Sequence, residues 1–182
     1  FSPEEGTRAA QMDHVDMEEA RRRGILVSYD PNYRQALWSS REEAVEWMKR
    51  PLPLVDVLKL SDEELPLLTG TGDPEQGTAI LRDMGIRLVL LTLGGDGAYY
   101  RMGPAAGWVK GVKTAVADTN GAGDTFLGAV LSRLCRRPAG PLEGLTAGEV
   151  EDIVSFANRA AAKTCSRSGA IPAMPTLAEV EG

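Results

Sequence analysis

The residues best suited to chemistry lie in a glycine turn between Asp118 and Asp124. Gly121, Ala122 and Gly123 stand directly before a helical pattern. Small residues at this place let backbone N–H groups converge on an anion, and a helix N-terminus adds a favourable partial charge. Asp124 closes the turn, where its carboxylate can accept the proton of a hydroxyl that attacks a phosphate. The turn therefore predicts a phosphate cradle with a general base, and the alternative is that Asp124 merely caps the helix.

Two further loops place polar groups after predicted strands. Arg34 ends the run Asp30-Pro31-Asn32-Tyr33-Arg34. A guanidinium there can donate two parallel hydrogen bonds to phosphate or sugar oxygens. The alternative is an ordinary Asp-Pro-Asn turn. Lys59 lies near the end of another apolar run, residues 55–60, after which Ser61 and Glu64 have the spacing of a capping box at a helix start.

A third loop, Thr92-Leu93-Gly94-Gly95-Asp96-Gly97, follows an apolar run and has the composition of a tight glycine turn. Asn158 lies within a later helical pattern, where a surface asparagine is the plain alternative to a ligand contact. Taken alone, neither segment predicts a binding site.

The elements that must position these residues alternate between strand and helix patterns. Such alternation indicates parallel βαβ units covered by helices, and ligands of these sheets bind at the carboxyl ends of the strands. We therefore expect an α/β fold whose loops after the strands carry the chemistry. Predicted strands cover residues 25–29, 55–60 and 86–91, with an antiparallel pair at 98–102 and 108–112 around a Gly103-Pro104 turn. Predicted helices cover residues 4–23, 40–49, 73–85, 124–137 and 146–163.

Composition narrows the class of protein. The chain has 182 residues, of which 43% are hydrophobic and 25% charged, as in ordinary globular domains. A net charge of -6 argues against a nucleic-acid surface, and the lack of a long apolar run argues against a membrane span. Cys135 and Cys165 form no CxxC pair, which argues against zinc or disulfides and favours the cytoplasm. His14, the single histidine, stands in an acidic helical stretch that does not suggest a metal site. We therefore expect small-molecule partners.

The longer string Asp-Thr-x-Gly-Ala-Gly-Asp-x-Phe, from Asp118 to Phe126, resembles the C-terminal signature of ribokinase-like (PfkB) carbohydrate kinases. The resemblance implies a ribokinase-like three-layer α/β/α fold, Rossmann-like, with a mostly parallel sheet. It implies that Asp124 is the catalytic base in contact with the substrate and that Gly121, Ala122 and Gly123 form the anion hole.

The resemblance runs from about residue 25 to residue 176 and aligns with the C-terminal half of the family. Residues 1–182 would thus form the C-terminal, nucleotide-binding and catalytic portion of a single sugar-kinase domain. We expect the N-terminal half, with most of the sugar contacts and the lid, to be missing from this chain or carried by another.

The run from Asp30 to Arg34, with Leu37-Trp38 beyond it, resembles the fructokinase and 2-keto-3-deoxygluconate kinase branch of the family. There the residues matching Asn32 and Arg34 line the nucleotide and substrate cleft. In the family's Asn-x-x-Glu motif the glutamate organises Mg²⁺ and its waters, which assigns that role to Glu64. Ser61 replaces the motif's asparagine, and Lys59, two residues before it, is expected at the nucleotide.

The resemblance assigns the remaining site residues as well. The family's nucleotide loop reads Thr-x-Gly-x-x-Gly, which implies nucleotide contacts for Thr92, Gly94 and Gly97, and the closing helix implies one for Asn158. A potassium-type cation site beside the anion hole is implied by the positions Asp118, Thr164, Arg167 and Gly169.

The implied activity is phosphoryl transfer from ATP to a sugar hydroxyl, with Mg²⁺ and a monovalent cation such as K⁺ as cofactors. Fructose, giving fructose 6-phosphate, is the expected substrate; 2-keto-3-deoxygluconate kinase is the close alternative and ribokinase the more distant one. An alternative of another class is a nucleotide-binding module without turnover. The complete protein is expected to be a homodimer.

Overall fold

Five strands and seven helices alternate along the chain in the computed structural model, which describes residues 16–182. The strands are β1 Ser28–Tyr29, β2 Val57–Ser61, β3 Leu88–Thr92, β4 Gly97–Met102 and β5 Ala105–Lys110. The helices are α1 (residues 16–22), α2 Arg41–Lys49, α3 Leu65–Thr69, α4 Pro74–Asp83, α5 Ala122–Leu134, α6 Ala147–Cys165 and α7 Leu177–Glu181. Short 3₁₀ turns lie at Gln35–Leu37, Leu52–Leu54, Gly94–Asp96 and Ile171–Ala173.

The strands form a mixed, mostly parallel open sheet with flanking helices, in the order β1-β2-β3-β4-β5. The α/β prediction is therefore confirmed. By its internal contacts the chain divides into two compact units, one up to Val89 and one from Leu90 onward.

In the first unit, β1 pairs parallel with β2, with Ser28 opposite Val57. The interior of β2 is a nearly continuous apolar run that is buried on both faces, as strands of parallel sheets are. Helices α3 and α4 pack together so closely that a Cβ on Gly77 would lie 2.7 Å from the Leu65 side chain. Gly77 therefore allows the two helices to pack closely, because a side chain at this position would collide with Leu65.

Two helices of the first unit begin with a side-chain cap. The Ser40 hydroxyl accepts the Glu43 N–H at the start of α2. The Asp73 carboxylate accepts the Gln76 N–H at 2.7 Å, and Pro74 takes the first helical position of α4. Both caps are local, which is why the residue pattern predicts them.

The second unit combines a hairpin with two long helices. Strands β4 and β5 pair antiparallel across a tight turn at Gly103, and α6 packs against both. Helices α5 and α6 pack along their length, and α6 opens with a full capping box between Thr146 and Glu149. The short α7 packs on α6 by inserting Val180 beside Phe156 and Ala160.

Two predicted strands differ from those observed. The strand predicted at 25–29 pairs only at Ser28 and Tyr29, because the Val27 N–H donates to the Asp56 carboxylate instead of entering a ladder. The second hairpin strand begins at Ala105, not at residue 108, because the turn is only two residues long. It ends at Lys110, where the Gly111 N–H donates to the Asp96 carbonyl. Residues 4–15 of the first predicted helix, and His14 with them, lie outside the described residues.

Candidate active site

The glycine turn lies directly at the start of α5. Gly121 is the N-cap residue, with φ 78° in the left-handed region, and its carbonyl accepts the Thr125 N–H at 2.9 Å. The Asp124 side chain is exposed in the first helical turn. Because N–H groups in the first turn precede the helix's own hydrogen-bond ladder, those of Gly123 and Asp124 are placed to meet an anion. The start of α5 thus leaves first-turn N–H groups that could meet an anion, and the phosphate cradle stays a prediction.

Asp118 fastens this turn to the segment that follows α6. One carboxylate oxygen accepts the Asn120 N–H at 3.0 Å and the other accepts the Gly169 N–H at 3.1 Å. The same N–H donors hold the pKa of the Asp118 carboxyl below its usual value of 3.8. The Ala117 and Asp118 N–H groups both donate to the Cys165 carbonyl, at 2.8 and 3.2 Å. The cradle therefore rests on the C-terminal end of α6.

Gly121 also touches this segment directly. A Cβ on Gly121 would lie 3.2 Å from both the Cα and the Cβ of Ala170. Any larger residue would meet both a left-handed backbone angle and this close approach. Glycine is thus required here by geometry, independently of any ligand.

Of the four residues predicted to form a cation site, Thr164, Arg167 and Gly169 lie close together in sequence, and Asp118 joins them through its hydrogen bond to Gly169. Asp118 and Gly169 are hydrogen-bonded, and the Thr164 carbonyl accepts the Arg167 N–H at 3.1 Å. The Arg167 guanidinium points away to an ion pair with Glu179 of α7. The Thr164 side chain is buried and bonds to Thr125. Sequence reasoning assigned no function to this hydroxyl contact.

The predicted nucleotide loop follows β3, where Thr92 is the last strand residue and Gly94 begins a 3₁₀ turn. The Leu93 N–H donates to the Gly97 carbonyl at 2.9 Å and closes the loop. A Cβ on Gly97 would lie 2.2 Å from the Val109 carbonyl oxygen. The close approach to β5 therefore accounts for this glycine by itself.

Asn158 lies at the end of the same hairpin. Its side-chain Nδ2 donates to the Val109 carbonyl at 3.2 Å and to the Lys110 carbonyl at 3.1 Å. The residue is buried, so the surface-asparagine interpretation is wrong. Both donors of the amide are engaged by β5, which leaves the side-chain oxygen as the group able to meet a ligand.

In the first unit, Glu64 lies buried at the start of α3. Its two carboxylate oxygens accept the Tyr33 N–H and the Ser61 N–H, each at 2.7 Å. The predicted capping box forms on the glutamate side alone, because the Glu64 N–H donates to the Ser61 carbonyl and not to its hydroxyl. Glu64 thus fixes two backbone segments of this unit.

Lys59, the middle residue of β2, projects into a buried ion pair. Its ammonium lies 2.9 Å from the Asp30 carboxylate, and the two side chains are 8% and 13% exposed. Burial raises the pKa of Asp30 above 3.8, against the opposing effect of Lys59. Burial and the charges of Glu64 and Asp30 raise the pKa of the neighbouring Tyr29. Sequence reasoning assigned no role to Asp30 or Tyr29, although a lysine inside an apolar strand signals a buried partner.

Asn32 and Arg34 follow this cluster in the loop after β1, and both side chains are exposed. The Asn32 N–H donates to Asp30 at 3.2 Å, and the residue has φ 47°, an angle that asparagine tolerates. The Arg34 guanidinium donates to the Tyr33 carbonyl at 3.0 Å. The ordinary Asx turn forms between Asp30 and Asn32. Arg34 is exposed beyond this turn, so the turn does not prevent it from contacting a ligand.

Metal binding at Glu64 would rest on a single carboxylate. Within residues 16–182, no three His, Cys, Asp or Glu side chains converge on a point where they could hold a metal ion. A hexahydrated or phosphate-bound Mg²⁺ needs only one or two carboxylates, because it keeps several waters.

Within residues 16–182, no helix combines the length and apolar character that a bilayer crossing demands.

Comparison with known proteins covers nearly the whole chain. The family described as pfkB family carbohydrate kinase matches residues 11–177. Fructokinase-1 of Oryza sativa subsp. japonica is 39% identical over 165 residues, which are 90% of this chain and 50% of that protein. Fructokinase-2 of Solanum lycopersicum is 39% identical over 176 residues, 96% of this chain and 52% of that protein.

Solved structures agree with these matches. Fructokinase from Vibrio cholerae O395, with fructose, ADP and calcium bound, has a TM-score of 0.82 at 34% identity over 91% of this chain and 52% of that one. Fructokinase from Xylella fastidiosa with bound ATP has a TM-score of 0.84 at 29% identity over 94% of this chain and 55% of that one. The chain therefore spans about half the length of the proteins it matches.

Proposed function

Because the chain belongs to the pfkB family of carbohydrate kinases, we propose that it is the nucleotide-binding and catalytic portion of an ATP-dependent fructokinase. The observation that carries this proposal is the glycine turn at the N-terminus of α5, with the Asp124 carboxylate exposed in its first turn. The fold is ribokinase-like, and the curated relatives are fructokinases.

The proposed reaction transfers the terminal phosphate of ATP to a hydroxyl of fructose. Asp124 accepts the hydroxyl proton as the oxygen attacks, which is worth about 10²–10⁴ in rate. Charge that spreads over the transferred phosphate is stabilised by the first-turn N–H groups of α5 and by the partial charge of the helix N-terminus. Gly121, Ala122 and Gly123 let the backbone approach the phosphate, since none of them carries a side chain larger than a methyl.

Nucleotide and metal roles are proposed for residues of each unit separately. Solved neighbours contain ATP, or ADP with potassium or calcium. In this chain we assign magnesium, through its waters, to Glu64, whose oxygens keep further lone pairs beside their two N–H bonds. A monovalent cation is assigned to the positions Asp118, Thr164, Arg167 and Gly169. The proposed nucleotide contacts are Asn32, Arg34, Lys59, Thr92, Gly94, Gly97 and Asn158, with Arg34 and Asp124 also at the sugar.

A substrate panel on the complete natural protein tests this function. ADP production is measured with fructose, ribose, 2-keto-3-deoxygluconate and adenosine, each at several concentrations and with MgATP in excess. We expect the highest kcat/KM for fructose. A higher value for 2-keto-3-deoxygluconate would move the protein to the other branch, and no sugar-dependent ADP with any of them would contradict kinase activity.

A nucleotide-binding role without turnover is the second candidate for residues 1–182 taken alone. It is favoured by the observation that the chain spans about half the length of its relatives. Orienting a sugar contributes up to about 7–11 kcal/mol to catalysis in well-ordered systems, and a site open to water loses charge stabilisation. Residues 1–182 alone should therefore bind MgATP weakly by calorimetry and release no additional ADP when fructose is added.

A further inference from the structure

Two buried hydroxyls join α5 to α6 directly beside the cradle. Thr125 follows Asp124 in the first turn of α5 and is 8% exposed, and Thr164 in the last turn of α6 is fully buried. Their Oγ1 atoms lie 3.0 Å apart. The Thr164 hydroxyl also lies 3.4 Å from the Ala160 carbonyl, a longer and weaker contact. The hydroxyl pair thus links the two helices, whereas the Ala160 contact lies within α6.

Within α5 itself, few side chains can fix the orientation of the first turn. Gly121, Ala122 and Gly123 offer at most a methyl group for packing, and Asp124 is exposed. Thr125 and Phe126 are therefore the first buried side chains of the helix. An apolar ring such as that of Phe126 packs without strong directionality, whereas a hydrogen bond fixes distance and angle.

Thr125 links this side-chain contact to the backbone of the cradle. Its N–H donates to the Gly121 carbonyl at 2.9 Å, while its hydroxyl meets Thr164. A rotation of the first turn would strain both bonds at once. Burying two hydroxyls between helices is unfavourable unless they are paired, and a pair of valines would fill the same space. Filling the space between the helices therefore does not by itself explain the two hydroxyls.

We propose that Thr164 is a positioning residue: its hydrogen bond to Thr125 sets the first turn of α5 and thereby the place of the Asp124 carboxylate and of the cradle N–H groups. This inference rests on the proposed kinase function of the same turn. It differs from the assignment of the Thr164 carbonyl to a cation, because it concerns the side chain.

The test compares three variants of the complete natural protein. Thr164→Val keeps the shape and removes the hydroxyl, Thr164→Ser keeps the hydroxyl, and Thr78→Val is the control. Thr78 is also fully buried, and its hydroxyl donates to the Pro74 carbonyl at 2.7 Å in the first unit. Thermal melting of each variant fixes an assay temperature at which all of them are folded.

We expect Thr164→Val to lower kcat by about tenfold to a hundredfold, since misplacement of about 1 Å costs about that much, with a smaller change in the KM for ATP. Thr164→Ser should restore most of the lost turnover. Thr78→Val should lose stability and keep its kcat. An unchanged kcat in Thr164→Val, or an equal loss in Thr78→Val, overturns the inference.

Amide hydrogen exchange supplies a readout that does not require activity. Thr164→Val should accelerate exchange at residues 122–126 and leave α4 unchanged, whereas Thr78→Val should do the opposite. If the wild-type protein shows no sugar-dependent turnover, the proposed function fails, and exchange alone decides on the positioning role. Unchanged exchange at residues 122–126 in Thr164→Val would then overturn it.

Discussion

The Glu64 carboxylate holds the backbone N–H of Tyr33 at 2.7 Å, across 31 residues of sequence. Its other oxygen holds Ser61 at the same distance. One buried side chain thus connects the end of β2 to the loop that carries Asn32 and Arg34. The residue proposed to organise magnesium also determines where a proposed nucleotide loop lies.

Glu64→Gln should therefore impair stability and metal dependence together. The amide has one acceptor oxygen, so one of the two N–H groups loses its partner, which costs about 1–3 kcal/mol of unfolding free energy. Turnover should also need more magnesium, because the carboxylate charge is gone. Urea unfolding and a Mg²⁺ titration of the rate measure the two effects.

Glu63→Gln is the matched control, because that neighbouring side chain is exposed. It should change the urea midpoint and the magnesium requirement little. Equal stability of Glu64→Gln and wild type would show that the two N–H bonds contribute nothing. An unchanged magnesium requirement would remove the metal role from Glu64.

Gly121→Ala should destabilise the protein and reduce turnover. Alanine at φ 78° costs about 1–2 kcal/mol, and its Cβ would also press on Ala170 at 3.2 Å. Gly128→Ala on the same helix meets no atom within 4 Å and should stabilise by about 0.5–1 kcal/mol. Thermal melts and steady-state rates of both variants test this contrast. If both glycines tolerate alanine equally, the tight fit of the cradle against the segment after α6 is wrong.

Two exposed glutamates should make the second unit sensitive to acid. The Thr146 N–H lowers the pKa of Glu149 from 4.5 to about 2, and the Arg167 guanidinium does the same for Glu179. Because the folded pKa values are depressed, the stability these groups contribute is present above pH 4.5 and is lost as the pH falls through about 2.

Melting temperatures measured at intervals from pH 5 to pH 2, about the range in which carboxylates titrate, test this expectation. Glu179→Gln should melt lower than wild type at the upper end of the range, and the difference should shrink toward the lower end. High salt should reduce this difference, since the Glu179 side chain is 38% exposed and its ion pair is therefore screened by salt. Glu63→Gln serves again as the control. A difference that grows as the pH falls would contradict the depressed pKa.

Local features of this fold could be predicted from the sequence. The caps at Ser40 and Asp73 depend on residues three positions apart, and the glycine turn before α5 depends on a run of consecutive small residues. In such cases the residues that define the feature also build it, so the pattern is sufficient.

Contacts between distant segments could not be predicted. Asn158 meets Val109 across 49 residues, and Asp118 meets Gly169 across 51. The burial of Asn158 depends on how α6 packs against β5, and the short β1 depends on the Asp56 side chain. Tertiary packing decides these outcomes, and no spacing in the chain encodes it. The nucleotide, metal and cation roles stay predictions.

The most direct test of the account is the steady-state kinetics of Asp124→Asn in the complete natural protein, with fructose and MgATP both saturating. Asp152→Asn, another exposed aspartate on the neighbouring helix α6, is the matched control. We predict that Asp124→Asn lowers kcat by about 10²–10⁴-fold, because the proton acceptor is lost, while ATP binding by calorimetry changes little. Asp152→Asn should keep wild-type kinetics. Wild-type turnover in Asp124→Asn would contradict the assignment of this carboxylate as the base and, with it, the catalytic role of the glycine turn.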